Sequence, residues 1–194
     1  MPQNLSQAEL SSRIRALLAD AASPVIVALD GRCGSGKTTL AAALARQFPA
    51  CHLLHTDDFY LPPAQRAEGW EHTPCANMDL ERLHRELLAP LAAGQSGIYR
   101  AYSCREGHFL PAQRLDPRPL ILLEGSYSHH PILCGCETLR VFVTCEKAVQ
   151  LARLQAREGE RFASFAERWI PLEEGYFSAF DIFKRASFIL DTTE

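Results

Sequence analysis

No apolar run in this chain approaches the ~20 residues that a bilayer-spanning helix needs, which excludes a helical membrane span. Near the N-terminus no basic segment leads into a hydrophobic stretch, so no signal peptide is indicated and a cytoplasmic location is expected. Basic charge is not in excess: 20 Lys and Arg stand against 23 Asp and Glu, a net charge of -3. That balance argues against nucleic acid or an anionic membrane as a partner. A paired disulfide framework is also lacking. The seven cysteines are odd in number and scattered, as suits reduced thiols. The cluster His129-His130-x-x-x-Cys134-x-Cys136 holds metal-ligand residue types but not a structural-zinc spacing. Neither internal repeats nor low-complexity tracts occur. With 194 residues, 47% apolar and 22% charged, the chain suits one domain, residues 1–194, with a substantial core.

What is present is organised around Gly31-Arg32-Cys33-Gly34-Ser35-Gly36-Lys37-Thr38, a match to G-x-x-x-x-G-K-[ST]. Glycines at 31, 34 and 36 allow the tight turns that aim successive N–H groups at phosphate oxygens. Lys37 brings a mobile positive charge to the outer phosphates, and the Thr38 hydroxyl is placed to ligate Mg2+. Cys33, Ser35 and Thr39 complete the expected nucleotide cradle. The motif needs a buried strand before it and a helix after it. Val25 to Leu29 is apolar and β-branched, as a covered parallel strand should be. Residues 39–48 are rich in helix formers and stop at Pro49. The chain is expected to bind a nucleoside triphosphate.

Elsewhere, Leu5 to Ala19 reads as an amphipathic helix with a Ser6–Glu9 capping box. A short strand, residues 51–55, ends at Thr56-Asp57-Asp58-Phe59-Tyr60, and ligands gather at such carboxyl ends. An irregular insert of about residues 60–118 carries six of the 12 prolines, and Pro119 follows it directly. It contains a helix over 78–88 and a strand over 98–103, hairpinned with 108–110. We read it as the acceptor-binding arm, because long irregular insertions are usually functional. Strand 119–124 delivers Glu124 at its carboxyl end, and strand 139–144 follows. A helix over 146–158 bears Arg153 and Arg157 on one face, and a second helix runs to about Phe180. A last strand covers 187–191. Five parallel strands with intervening helices make a three-layer α/β/α fold. Trp70 and Trp169 read as packing residues.

A phosphate loop serves several chemistries. A guanine-reading N-K-x-D is excluded, since no Asn-Lys pair occurs. A small-molecule kinase needs a carboxylate near the acceptor hydroxyl, another near the metal, and mobile arginines over the transferring group. Asp57, Glu124 and the arginines at 153, 157 and 161 supply these.

With Gly-x-x-Gly-Ser-Gly-Lys-Thr-Thr, Asp57-Asp58-Phe59-Tyr60, Glu124-Gly125 and the arginine-bearing segment together, the chain resembles the uridine kinase-like family of P-loop kinases. Phosphoribulokinase, pantothenate kinase and nicotinamide riboside kinase are relatives in that group. The resemblance implies ATP and Mg2+ as cofactors, with Asp57 as the base on the acceptor hydroxyl and Tyr60 lining the acceptor pocket. It implies Glu124 near Mg2+, partly through water, and Arg157 and Arg161 as lid arginines within a lid of about 146–170. Where uridine kinases carry Tyr-Asp-Phe followed by His and Arg, this chain reads Tyr102-Ser103-Cys104-Arg105. Tyr102 and Arg105 are then the acceptor contacts, and the departure leaves the acceptor open. The partner is expected to be a small molecule with a free hydroxyl, first of all a nucleoside, with pantothenate or a sugar phosphate as alternatives. A nucleotide-hydrolysing regulator is the competing class, and self-association is left open.

Overall fold

The computed structural model describes residues 2–193. Its centre is a parallel sheet of six strands: β1 (Gln3–Asn4), β2 (Val25–Gly31), β3 (Cys51–His55), β8 (Leu120–Glu124), β9 (Leu139–Thr144) and β10 (Phe188–Asp191). Their spatial order is β1-β10-β9-β2-β8-β3. The five expected strands form, and the two-residue β1 adds a sixth at the edge beside β10. So short a strand carries no periodic signal.

Residues of β2 and β8 are all buried, because helices cover both faces. On one face α1 (Gln7–Asp20) and α2 (Lys37–Gln47) pack Leu10, Ile14, Leu40 and Leu44 against Val25, Val27 and Leu122. The capping box forms: Ser6 Oγ accepts from the Glu9 N–H, and Glu9 accepts from the Ser6 N–H. On the other face α3 (residues 80–92), α5 (Phe162–Ala179) and α6 (Ile182–Arg185) bury Leu83, Leu87, Tyr176 and Ile182 over Ile26, Ile121 and Phe142. Helix α4 (Lys147–Glu158) runs beside the phosphate loop.

The insert departs from its expected form at two places. The helix does not stop at 88 but continues to Ala92 through Pro90, with a π-helical turn at Leu83–Leu88 where the Ala89 N–H donates to the His84 carbonyl. The wider turn absorbs a proline that has no N–H and crowds the preceding turn. The strand expected over 98–103 is two strands, β4 (Gly97–Tyr99) and β5 (Tyr102–Ser103). They pair separately with β7 (Gln113–Leu115) and β6 (His108–Phe109). The break falls where the Arg82 guanidinium takes the Arg100 carbonyl, at 2.7 Å. Among the described residues no helix is long and apolar enough to cross a membrane, and no group of three or more His, Cys, Asp or Glu gathers to hold a metal ion. His129 is instead buried, its imidazole turned to the Ala28 carbonyl.

Candidate active site

The phosphate loop leaves β2 through Gly31, whose φ of 139° suits glycine alone; a Cβ there would stand 1.9 Å from the Val143 carbonyl oxygen. Gly36, also at positive φ, opens α2, so the unpaired N–H groups of its first turn face the loop. The Lys37 ammonium lies across the loop, donating to the carbonyls of Gly31 (2.6 Å) and Arg32 (3.0 Å). The loop is braced from behind. Gln150 donates to the Cys33 carbonyl (2.9 Å), Thr192 Oγ1 to the Ser35 carbonyl (2.7 Å), and Glu173 accepts from the Cys33 N–H (2.9 Å). Burial, and then the Glu173 charge, push the Cys33 thiol up, which keeps it protonated. Ser35 is fully buried and its hydroxyl has no protein partner among the described residues. These groups fit a bound polyphosphate.

Parallel register brings the two acids to this loop. Leu29, Glu124 and His55 stand side by side on neighbouring strands, so the ends of β2, β8 and β3 lie level. Glu124 is nearly buried; Thr38 Oγ1 donates to it at 3.2 Å, and His55 Nδ1 lies 2.6 Å away. The hydrogen bond to Glu124 raises the His55 pKa despite partial burial. The Thr38–Glu124 pair is a hard oxygen donor set of the kind Mg2+ takes. Gly125 turns the chain away at φ 129°, with no room for a Cβ against the Thr56 hydroxyl.

Asp57 sits in the 3-10 turn Thr56–Phe59 that follows β3. Its side chain is open to the cleft yet crowded by protein on most sides. That desolvation, and then the charge of Glu124, push its carboxyl above the usual range. Asp58 points elsewhere, accepting a hydrogen bond from the Tyr99 hydroxyl.

A single cleft of about 1050 Å³ contains Lys37, Thr38, Asp57, Tyr60, Tyr102 and Glu124. Arg153, Arg157 and Arg161 line its far side. Arg153 is held by Thr192 (2.6 and 3.0 Å), while Arg157 and Arg161 both reach Glu158. Arg105 is not brought to the cleft; it is exposed in the β5–β6 turn, and its neighbour Cys104 lines the wall instead.

The sequence reading does not name Arg66, Ser126, Glu173 or His55 as site residues, and it reads Trp169 as packing. Arg66 and Trp169 line the cleft, and Ser126 and Glu173 hold the loop, with Ser126 Oγ donating to Glu173. Glu173 alone left a trace, an acid on the apolar side of α5, but no local pattern names its partners 47 and 140 positions away.

A phosphate-cradling loop opening a helix at the carboxyl ends of a parallel sheet, with two carboxylates facing it, defines a P-loop nucleotide-binding enzyme. No family model matches the chain. It is 31% identical over 145 residues to a uridine kinase of Chloroflexus aurantiacus, covering 70% of this chain and 68% of the relative. Over 117 residues it is 30% identical to human nicotinamide riboside kinase 2, covering 56% and 47%. A possible uridine kinase from Bacillus stearothermophilus superposes with a TM-score of 0.70 at 21% identity, over 94% of this chain and all of that one. The chain belongs to the uridine kinase-like family of P-loop kinases and is a small-molecule kinase. Membership implies ATP as the phosphoryl donor.

Proposed function

We propose that the protein transfers the γ-phosphoryl group of ATP to a hydroxyl of a small molecule, with Asp57 as the general base. The reading rests on one observation: Asp57 stands open in the same cleft as the phosphate loop, beside Glu124 and within the field of Lys37. Gly31 to Thr39 hold the polyphosphate through main-chain N–H groups, and Lys37 swings from its carbonyl contacts to the outer phosphates. Thr38 and Glu124 would hold Mg2+, which supplies charge neutralisation on the β- and γ-oxygens. Asp57 accepts the proton of the attacking hydroxyl; its raised pKa makes it a better acceptor than an ordinary aspartate. Arg157 and Arg161, released from Glu158, cover the transferring group and exclude water. Tyr60 and Tyr102 wall the acceptor.

The relatives named for uridine and nicotinamide riboside make a nucleoside the first acceptor class to try. ADP formation should be slow without acceptor and accelerated by the right alcohol. Asp57→Asn should cost about 10²- to 10⁴-fold in kcat while nucleotide affinity stays close to wild type; Lys37→Ala should lose both. Acceptor-independent hydrolysis at an undiminished rate in Asp57→Asn would favour a nucleotide-hydrolysing regulator instead.

A further inference from the structure

Among the described residues, Arg66 is the one cleft-lining cation contributed by the insert rather than by the phosphate loop or the helical segment after β9. Its Nε donates to the Leu61 carbonyl at 2.9 Å, and no carboxylate pairs with it among the described residues. The guanidinium lies 4.9 Å from the centre of the Trp70 ring and 6.0 Å from that of Tyr60. Trp70 packs on Trp169 at 6.1 Å, and Trp169 meets Tyr60 and Phe165, each at 6.3 Å. With Nε held by the Leu61 carbonyl and the guanidinium set on an aromatic face, the terminal N–H groups are left to bind carboxylate or phosphate. Asp57, Arg66, Tyr60 and Cys104 line the same cleft, and Tyr60 and Cys104 feel both charges, in opposite senses. Among the described residues no Asn, Gln or His side chain lines the cleft to read the edge of a neutral base.

We infer that the acceptor carries an anionic group, a carboxylate or a phosphate, which Arg66 binds while its hydroxyl faces Asp57. This rests on the phosphotransfer reading and narrows its substrate class to hydroxylated organic anions.

The chain has two tryptophans, Trp169 lining the cleft and Trp70 packed on it beneath Arg66, so intrinsic fluorescence reports on the subsite. The test titrates protein saturated with a non-hydrolysable ATP analogue and Mg2+, using matched neutral and anionic alcohols. The sets are glycerol, glycerate and glycerol 3-phosphate; pantothenol and pantothenate; uridine and orotidine. At least one anionic member should bind at least tenfold tighter than its neutral counterpart and accelerate ADP formation from ATP. Glycerate against glycerol 3-phosphate separates carboxylate from phosphate. Arg66→Met, which keeps the stem on Trp70, should weaken that anion by about 10- to 100-fold, as for loss of a charge-assisted contact. The analogue's own affinity should not change, and Arg66→Lys should recover part of the loss. The subsite is overturned if neutral members bind as well as anionic ones, if no member binds the nucleotide-loaded protein, or if Arg66→Met binds like wild type. Failure of the analogue itself to bind would sink the phosphotransfer reading, and the subsite with it.

Discussion

Asp57, open to the cleft but crowded by protein and facing Glu124, carries its charge at a cost to the fold. Its folded pKa is raised, so the folded state holds the proton more tightly than the unfolded chain does. The stability it confers therefore falls as pH rises from the unfolded value through the folded one. Asp57→Asn should melt at a higher temperature than wild type at pH 7 and lose that advantage at pH 3.5, in parallel thermal scans. His55 runs the other way in substance. Its pKa is raised by Glu124, so its contribution is fully present below about pH 6.5 and is lost as pH rises through the folded value. His55→Gln should lower the melting temperature at pH 5.5 and change it little at alkaline pH. A site that strains one acid and props another with a histidine trades stability for chemistry. The positions of Asp57 and Glu124 at the cleft were legible because each lies at or just beyond the carboxyl end of a strand. His55 was not, since only the pairing of β3 with β8 sets it against Glu124.

Helix α5 is two functional halves. Its first half brings Phe165 and Trp169 to the cleft; its second half is tied to the phosphate loop and the strand beneath it. Glu173 accepts from the Cys33 N–H, Glu174 pairs with Arg32 at 2.5 Å, and the Tyr176 hydroxyl donates to the buried Asp30 at 2.7 Å. If the proposed lid closes over a bound nucleotide, these ties confine its motion to the segment around 157–165 and leave residues 172–179 as a fixed buttress. On adding an ATP analogue and Mg2+, amide hydrogen exchange should slow across 157–165 and stay unchanged across 172–179. Glu173→Ala leaves the Cys33 N–H and Ser126 without their acceptor inside the protein. It should cost about 1–3 kcal/mol by denaturant unfolding and weaken nucleotide binding, with Glu173→Gln milder. The sequence reading places the end of α5 near Phe180, as observed, but it does not distinguish a half that lines a cleft from a half that anchors a loop.

At the scale of the whole molecule, the cleft exists because three remote stretches close on one another: the loop after β2, the insert after β3 and the helices after β9. The closure is tight at the glycines. Gly125→Ala would drive a Cβ to 2.0 Å from the Thr56 hydroxyl at a φ that disfavours side chains, so it should unfold at clearly lower temperature and lose activity together. The insert is where tertiary structure overrode local pattern most. The Arg82 side chain claims the Arg100 carbonyl and splits one expected strand into two, and the turns on either side move Cys104 to the cleft and Arg105 away from it.

By itself the sequence determined the class of chemistry and the scaffold: a glycine-spaced loop between strand and helix, apolar runs ending in acids, and arginines one helical turn apart. These are short-range patterns, set by backbone geometry and covalent spacing. Only the tertiary structure decided which groups face each other, such as His55 with Glu124, Glu173 with the phosphate loop, and Arg66 with the indole wall. Those pairings depend on strand register and on how the insert folds back, and a one-residue slip in a strand would turn the same side chains to the opposite face.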